Sequence, residues 1–242
     1  MPVVEFRDVC YEIGGRTVLS RVSFAVEAGE TLVLLGRSGS GKTTALKMTN
    51  GMLFPTSGEV LVEGRATTAW DPIRLKRRIG YVIQEVGLFP HFTVAENVAL
   101  VPRLEGWKPA DTDRRVDELL SAVGLPAAEY RSRYPRQLSG GQRQRVGVAR
   151  ALAAEPAMLL FDEPFGALDP VTRRELQDQF LELRREFHRS AIFVTHDIRE
   201  AVRLGSRIAL LAGGRLEALA PPAEFRRAEG VEARAFLAAL ED

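Results

Sequence analysis

The stretch Thr31-Leu-Val-Leu-Leu-Gly-Arg-Ser-Gly-Ser-Gly-Lys-Thr-Thr44 is the part of this sequence that decides its fold. Its first five residues, TLVLL, form a short apolar run of the kind found in a buried strand. The pattern G-x-x-x-x-G-K-[ST] follows directly, and a helical stretch begins at about Lys42. A strand, a glycine-rich turn and a helix in this order are the context that a phosphate-binding loop requires.

The glycines of this stretch predict what the loop binds. Gly36, Gly39 and Gly41 let the backbone turn tightly, so that its N–H groups point into a concave anion site. The N-terminus of the following helix adds partial positive charge. We expect Lys42 to reach the β- and γ-phosphates of a nucleotide and the Thr43 hydroxyl to bind Mg²⁺. An ordinary Gly-Ser turn is the alternative, but the flanking strand and helix argue against it. The predicted nucleotide-binding residues of the loop are Gly36, Ser38, Gly39, Ser40, Gly41, Lys42, Thr43 and Thr44.

Outward from this loop, the chain alternates short strands and helices. Two strands at residues 3–11 and 18–26 are predicted to be joined through Gly14-Gly15. Further strands are predicted at residues 31–35, 58–63, 79–83, 158–161, 191–194 and 208–211, and a helix at residues 170–187. Alternation of this kind favours a mostly parallel sheet that is covered by helices.

The middle of the chain is mostly helical in pattern. Residues 94–154 contain four prolines that we expect to break the helices: Pro102, Pro109, Pro126 and Pro135. We therefore predict one domain, residues 1–242, in which a helical subdomain of approximately residues 88–154 is inserted into an α/β core. A short helical tail is expected at approximately residues 221–242.

Composition narrows the class of protein. The 242 residues are 45% apolar and 27% charged, which is ordinary for a soluble globular protein, and the net charge of +1 gives no indication of a nucleic-acid partner. The single cysteine, Cys10, excludes an internal disulfide. The N-terminus has no long apolar stretch and does not look like a signal peptide. Apolar runs are far shorter than a spanning helix needs, so we expect any role at a membrane to depend on a partner.

A second motif carries a pair of carboxylates. The apolar run from Met158 ends in Asp162 and Glu163, which places both acids at the carboxyl end of a strand, where ligands bind in open α/β sheets. Asp162 is suited to hold Mg²⁺, and Glu163 is suited to orient and deprotonate an attacking water. Two solvated acids at a strand end would be the simpler interpretation for this motif alone. The phosphate-binding loop in the same chain favours the functional one.

Other motifs resemble one family specifically. Leu138-Ser-Gly-Gly-Gln142 matches the signature sequence of the ABC ATPases. Gln84 follows a predicted strand, Ala167-Leu168-Asp169 follows the two acids, and Thr195-His196-Asp197 follows another strand. The order and approximate spacing of these motifs are similar to the family over nearly the whole chain. The resemblance implies a P-loop NTPase (RecA-like) core with an antiparallel β subdomain and an inserted helical subdomain.

The resemblance also implies roles for individual residues. Tyr11 resembles the aromatic residue that stacks on adenine, although a strand tyrosine is often plain packing. Gln84 resembles the residue that contacts Mg²⁺ and the attacking water, and His196 resembles the switch histidine at the γ-phosphate. Asp169 resembles the residue that crosses a dimer interface. The implied catalytic residues are Glu163, His196 and Gln84, the implied metal ligands are Thr43, Gln84 and Asp162, and the residues that grip the nucleotide of the opposite subunit are Ser139, Gly140, Gly141 and Gln142.

Partners and cofactors follow from the same resemblance. It implies ATP and Mg²⁺ as cofactors and a second copy of the chain in a head-to-tail dimer, with two nucleotides between the copies. It also implies transmembrane permease subunits that hold the chain at the cytoplasmic face of the membrane, and indirectly a solute-binding protein. In the family, the region around Val86–Phe92 lies near the groove that receives a short helix from the permease, although half of this segment could be core. We expect Arg143, Arg145 and Arg150 to form a solvated helix face, with contacts at an interface as the alternative.

This sequence lacks the features of the competing classes of ATPases and GTPases. The sequence has no Asn-Lys-x-Asp guanine-reading motif, which a P-loop GTPase would carry. Only 138 − 42 = 96 positions separate Lys42 from Leu138, too few for the long coiled coil of a DNA-repair relative. A translation-associated relative would carry two cassettes in one chain. An ABC ATPase that acts on a soluble partner instead of a permease remains the alternative from another class.

The transported solute can be approached only through resemblance. The stretch Leu75–Trp107 is similar to the ATPases of importers for quaternary-amine osmoprotectants such as glycine betaine, choline and carnitine. The likeness lies mainly in residues 79–84, 87–91 and 101–102, and Lys47-Met48 adds to it. Many such ATPases continue into a pair of regulatory domains, and because the chain stops at Asp242 we expect no regulation of that kind. Importers of another small polar solute, such as an amino acid, are the alternative.

Overall fold

The computed structural model describes residues 2–84, 86–166 and 168–241. Its strands are β1 (Val4–Ile13), β2 (Arg16–Val26), β3 (Thr31–Leu35), β4 (Ser57–Val62), β5 (Arg65–Ala66), β6 (Ile79–Ile83), β7 (Met158–Asp162), β8 (Ser190–Thr195), β9 (Arg207–Ala212) and β10 (Arg215–Ala220). Its α-helices are α1 (Lys42–Thr49), α2 (Pro72–Arg78), α3 (Val94–Leu104), α4 (Pro109–Ala122), α5 (Ala127–Tyr130), α6 (Gly140–Leu152), α7 (Pro170–Phe187), α8 (Ile198–Leu204), α9 (Pro222–Phe225) and α10 (Val231–Glu241). The chain divides into two units, residues 1–76 with 189–242 and residues 77–188.

The first unit contains an antiparallel sheet in the strand order β2-β1-β4-β5. Its hairpin is the predicted one: Gly14 and Gly15 join β1 to β2, and both have positive φ angles, 57° and 73°. Two successive left-handed residues are the conformation that a tight two-residue hairpin needs, since it matches the twist of the paired strands. Apolar residues of this sheet, such as Val4 and Val26, are fully buried.

The first unit also contains the strands β10-β9-β3-β8 in that order. β3 lies between β8 and β9 and is parallel to both, and all five of its residues are buried. The prediction of a parallel sheet around TLVLL is therefore confirmed. β10 is antiparallel to β9 and was not predicted. The Gly213-Gly214 pair between them, with φ angles of 53° and 76°, is the signal that could have indicated this second hairpin.

The second unit pairs β6 with β7 in parallel, and α3, α4, α5 and α6 lie between these two strands in sequence. Phe161 of β7 packs edge-on against Phe180 of α7, with ring centroids 5.0 Å apart. The prediction that Pro102 breaks a helix is wrong, because it lies inside α3, two residues before its end. The missing N–H of Pro102 removes the one helical bond that it would donate to the Val98 carbonyl, and α3 ends two residues later. Pro109 and Pro126 do lie at the starts of α4 and α5, and Pro135 begins a short 3-10 helix, Pro135–Gln137; at such positions the missing N–H costs least.

None of the described helices combines the length and the apolar character that crossing a bilayer requires. The helices with clear amphipathic patterns instead turn their apolar faces inward. In α3, Val94, Val98 and Ala99 are buried, and in α4, Val116 and Leu119 are buried. Burial of such faces supplies most of the stability of short helices.

One buried amide organises the loop that precedes α3. The side chain of Asn97 is fully buried, and its Oδ1 accepts a hydrogen bond from the Phe89 N–H at 2.8 Å. Its Nδ2 donates to the carbonyls of Phe89, Phe92 and Thr93 at 3.2, 3.2 and 2.9 Å. Asn97 therefore satisfies backbone groups of a non-helical loop that otherwise could not be buried.

We expect Asn97→Ala to lower the free energy of unfolding by about 1–3 kcal/mol, because it removes the side-chain partner of the Phe89 N–H and of the Phe92 carbonyl. Asn97→Asp should be at least as damaging, since it keeps the acceptor but turns a carboxylate toward three carbonyls. Urea denaturation measures both. Asn50→Ala is the matched control, because Asn50 is also buried but accepts only one N–H, that of Met52. An Asn97→Ala loss no larger than that of this control would contradict the role.

Candidate functional site in the two units

The phosphate-binding loop occupies residues 36–41, between β3 and α1. Two of its glycines are required by close approach: a Cβ on Gly36 would lie 2.3 Å from the Leu211 carbonyl oxygen, and one on Gly41 would lie 2.5 Å from Leu19 Cδ2. Gly39 has open space around it, but its φ of 79° favours glycine. The loop is therefore held in its turn by packing on neighbouring strands.

Two polar side chains, those of Ser40 and Lys42, are buried at the loop. Lys42 is only 4% exposed, and its Nζ donates to the carbonyls of Gly36 and Arg37 at 2.7 and 2.9 Å. The buried hydroxyl of Ser40 has no hydrogen-bond partner within the described part of the chain. A buried polar atom without a partner is uncommon and points to a ligand. Ser38 and Gly39 are exposed, and Thr43 and Thr44 on α1 are half-buried.

His196 lies at the same edge of the sheet as this loop. Leu35 and Thr195 are paired across β3 and β8, so that Gly36 and His196 each come one residue after the paired position. Thr195 is buried and holds the turn: its Oγ1 donates to Glu200 at 2.6 Å and accepts the Asp197 N–H at 3.0 Å. His196 itself is exposed.

Tyr11 is placed near the loop through its cross-strand neighbour. It pairs with Leu19 across β1 and β2, and Leu19 is the side chain that abuts Gly41. Tyr11 is half-buried, so one part of its ring remains accessible. This position suits an aromatic platform beside a phosphate-binding loop.

Sequence reasoning missed a contact of the loop with the C-terminal helix. Arg37, the second residue of the loop, forms an ion pair with Glu232 of α10, with Nε and Oε2 2.8 Å apart. Arg37 is largely exposed, so this pair contributes little stability. No local pattern links residues so far apart in sequence, because only the folded chain brings them together.

In the second unit, Gln84 and the two acids meet at one strand edge. Ile83 of β6 pairs with Asp162 of β7, so that Gln84 and Glu163 each follow the paired residues. Glu163 has a φ of 47°, a left-handed conformation that is unusual for a residue with a side chain. Such local strain is often found at functional sites. Gly166 leaves room for the Gln84 amide, whose Nε2 would be 3.2 Å from a Cβ there.

Tyr81 is a hydrogen-bond partner of Asp162 that the sequence did not indicate. Its hydroxyl donates to Asp162 Oδ2 at 3.2 Å. Burial raises the pKa of Tyr81 above its usual value, and the neighbouring Asp162 carboxylate raises it further. The Tyr81 hydroxyl therefore stays protonated and donates its hydrogen bond to Asp162 throughout the neutral pH range.

The signature motif begins α6. Ser139 is the N-cap: its Oγ accepts the Gln142 N–H at 3.2 Å, and the Gln142 side chain accepts the Ser139 N–H at 2.9 Å. This capping box leaves further N–H groups of the first turn unpaired within the helix. Gly140 is exposed, while a Cβ on Gly141 would lie 2.6 Å from Thr172 Cγ2 of α7. The signature therefore presents a helix N-terminus, which favours anions.

Asp169 is the N-cap of α7, where its Oδ1 accepts the N–H groups of Val171 and Thr172 at 3.1 and 3.0 Å. Hydrogen bonds from Thr172, and that from the Val171 N–H, hold the pKa of Asp169 below its ordinary value. Asp169 is exposed, and Ala167 of the same motif lies outside the described residues. The motif thus begins a helix and presents a carboxylate at the surface.

The expectation that Arg143, Arg145 and Arg150 form a solvated face is wrong for Arg145 and Arg150. Only Arg143 is exposed, while Arg145 and Arg150 are half-buried. Arg145 donates to the Val123 carbonyl, and Arg150 donates to the carbonyls of Val86 and Gly87. Side chains of this length cover apolar surface while their ends reach backbone acceptors, which periodicity along one helix does not indicate.

Comparison with known proteins identifies the family of this chain. Residues 19–166 match the family model described as ABC transporter. The osmoprotectant import ATP-binding protein OsmV of Salmonella typhimurium is 49% identical over 207 residues, which are 86% of this chain and 54% of that protein. The glycine betaine/carnitine/choline transport ATP-binding protein OpuCA of Bacillus subtilis is 46% identical over 214 residues, 88% of this chain and 56% of that protein. The chain thus spans about half the length of these relatives.

A solved structure shows the same fold. The dimeric post-hydrolysis state of the ATP-binding cassette MJ0796, bound to ADP and Pi, is 33% identical and has a TM-score of 0.79, with 90% of this chain and 98% of that chain covered. The fold class is therefore an α/β P-loop core with an antiparallel β sheet and added helices. From its phosphate-binding loop, its signature helix and these similarities, the chain belongs to the ABC transporter family.

Proposed function

We propose that this chain binds and hydrolyses Mg-ATP and powers the import of a small polar solute. The observation that carries the proposal is the phosphate-binding loop, in which the Ser40 hydroxyl is buried with no hydrogen-bond partner among the described residues and Lys42 is held inward by two carbonyls. Nucleotide phosphates supply acceptors for both groups. Lys42 then exchanges its contacts with carbonyls for contacts with phosphate oxygens, which carry a full negative charge.

The donor set fits Mg²⁺. Asp162, Thr43 and Gln84 offer carboxylate, hydroxyl and amide oxygens, which are the ligands that this ion prefers. The described residues contain no cluster of three or more His, Cys, Asp or Glu side chains that could hold a metal. Mg²⁺ at nucleotide sites typically takes one or two carboxylates and completes its shell with phosphates and water. When bound, the ion neutralises charge on the phosphates, and this chain supplies Asp162 and Thr43 to orient it.

Glu163 is proposed as the general base and His196 as the contact to the γ-phosphate. Glu163 follows β7 and has a left-handed backbone conformation, which is unusual for a residue with a side chain. Gln84 follows the paired strand β6 and is proposed to position the attacking water. Asp169 and the signature residues Ser139, Gly140, Gly141 and Gln142 are proposed to act on the nucleotide and the phosphate-binding loop of a second copy. The dimeric state of the structural neighbour supports this arrangement.

The partners are proposed from the functions for which the relatives are named. The first relatives are import ATP-binding proteins, which supports transmembrane permease subunits, and indirectly a solute-binding protein, as partners. The chain is then held at the cytoplasmic face of the membrane by the permease. The proposed cargo is a quaternary-amine osmoprotectant, because the relatives named for osmoprotectant, glycine betaine, carnitine and choline transport are 45–49% identical.

Glu163→Gln should bind Mg-ATP but hydrolyse it at least about a hundredfold more slowly, because a general base contributes roughly 10²–10⁴ to the rate. It should also accumulate as an ATP-bound dimer, which size-exclusion chromatography detects. Glu155→Gln is the matched control: Glu155 also has a left-handed backbone, with a φ of 52°, but is exposed and precedes β7. Near-normal phosphate release by purified Glu163→Gln would remove Glu163 from this role.

Tyr81→Phe should weaken metal binding by about 10- to 100-fold, since it removes the hydrogen bond that orients the Asp162 carboxylate. Electron paramagnetic resonance of Mn²⁺ measures this with a non-hydrolysable ATP analogue. Binding of the analogue in EDTA should be unchanged, which separates a metal effect from a folding defect. Tyr134→Phe is the control, because Tyr134 is exposed. Equal Mn²⁺ affinity in Tyr81→Phe and the native chain would refute the orienting role.

The cargo is tested by uptake into vesicles that contain the chain with its cognate permease and binding protein. We expect ATP-dependent uptake of labelled glycine betaine or choline to exceed that of polar amino acids. Vesicles with Lys42→Ala supply the background, because that change removes the cation that binds the phosphates. Clear uptake of another solute without any quaternary amine would refute the cargo and leave the ATPase proposal intact.

A further inference from the structure

Arg150 connects the signature helix to the loop that follows Gln84. It lies in the last turn of α6, and its guanidinium donates one hydrogen bond to the Val86 carbonyl and one to the Gly87 carbonyl, both at 2.7 Å. Burial lowers the pKa of Arg150 from its ordinary value. The planar guanidinium reaches both carbonyls at once through its fixed fork of donors.

A glycine brings the same loop into direct contact with α6. A Cβ on Gly147 would lie 2.3 Å from Val86 Cγ1, so only glycine lets the loop approach this closely. Gly147 precedes Arg150 by three residues and therefore lies on the same face of the helix. Steric contact and hydrogen bonding thus hold the loop at neighbouring points.

The last residues of α6 are also packed on the strand that leads into this loop. A Cβ on Gly80 of β6 would lie 2.4 Å from the Ala151 carbonyl oxygen. β6 ends at Ile83, directly before Gln84. The strand, the loop and the C-terminal half of α6 therefore form one closely packed body, in which small displacements cannot be absorbed by empty space.

The loop and the first turns of α6 enclose one cavity. Its volume is about 460 Å³, and it lies between Val86, Gly87 and Leu88 on one side and Gly140, Arg143 and Gln144 on the other. Gln84 also lines it. The shape of this cavity depends on how far the loop stands from α6, and that distance is set by Arg150 and Gly147.

We propose that Arg150 is a positioning residue that locks the loop at residues 86–87 to the signature helix, so that a displacement of the loop by a membrane partner moves Ser139–Gln142. The proposal rests on the proposed function as an importer ATPase. Arg150 lies 11 positions after Ser139, or about 16 Å along the helix axis. A capped helix of this length transmits a displacement as a rigid element, so contact at one end is felt at the other.

The first experiment compares Arg150→Lys with Arg145→Lys. Lysine keeps the charge but lacks the planar fork, so it should lose the simultaneous contact with both carbonyls. Arg145 is on the same helix and also donates to a backbone carbonyl, that of Val123, but not to the loop. ATP hydrolysis is measured for the isolated chain and for the complex with permease and binding protein in vesicles. Hydrogen exchange of residues 86–89 and 139–144 is measured on the isolated chain.

We expect Arg150→Lys to keep the basal rate and to reduce stimulation by the partners at least about threefold, with faster exchange at both segments. Arg145→Lys should change neither stimulation nor exchange at residues 86–89. Native-like stimulation in Arg150→Lys, beside clear stimulation of the native chain, would overturn the inference. Failure of the proposed function would look different, because the native chain itself would then show no stimulation.

A compensating pair provides an independent test that does not change Arg150. Gly147→Ala places a methyl group against Val86 Cγ1 and should push the loop away, with the same loss of stimulation. Adding Val86→Ala removes that γ-carbon, and the next atom, Val86 Cβ, is 3.7 Å away, an ordinary contact distance. The double variant should therefore recover stimulation. A double variant as impaired as Gly147→Ala, at equal thermal stability, would show that the distance between loop and helix does not control coupling.

Discussion

The parallel pairing of β3 with β8 is the constraint on which the nucleotide-binding half of the molecule depends. Hydrogen bonding in register from Thr31 to Leu35 brings the ends of both strands to the same level. The phosphate-binding loop and His196 then follow at one edge without further adjustment. The same geometry recurs where β6 pairs with β7 and delivers Gln84 beside Glu163. Parallel strands place chemistry at their carboxyl ends because every connection there leaves the sheet at the same side.

These edges of the sheets are rigid because the backbone around them is closely packed. Gly36 and Gly41 let the loop lie against Leu211 and Leu19, and a side chain at either position would displace it. The loop is thereby held in shape before a nucleotide arrives, which lowers the entropy that binding must overcome. Lys42, buried against two carbonyls, is likewise held in place without a ligand.

The signature helix joins the binding surface to the rest of its unit. Ser139 caps its first turn, and Arg150 in its last turn is hydrogen-bonded to the loop that follows Gln84. The unpaired N–H groups of its first turn suit an anion, and under the proposed coupling the same helix would carry displacements along its length. The capping box also explains why Ser139 and Gln142 occur together, since each satisfies the other's backbone N–H.

The sequence by itself determined the phosphate-binding loop, the paired acids, the buried strands and the signature, because each is a local pattern whose spacing matches one backbone conformation. It also indicated the Gly14-Gly15 hairpin. Tertiary structure alone decided the roles of Tyr81, Arg37 and Arg150, whose partners are distant in sequence or are backbone carbonyls that leave no trace in residue type. Periodicity predicted a solvated arginine face, but which long side chain folds back onto a loop depends on what packs beside the helix. That neighbour is chosen by the whole fold, not by the helix.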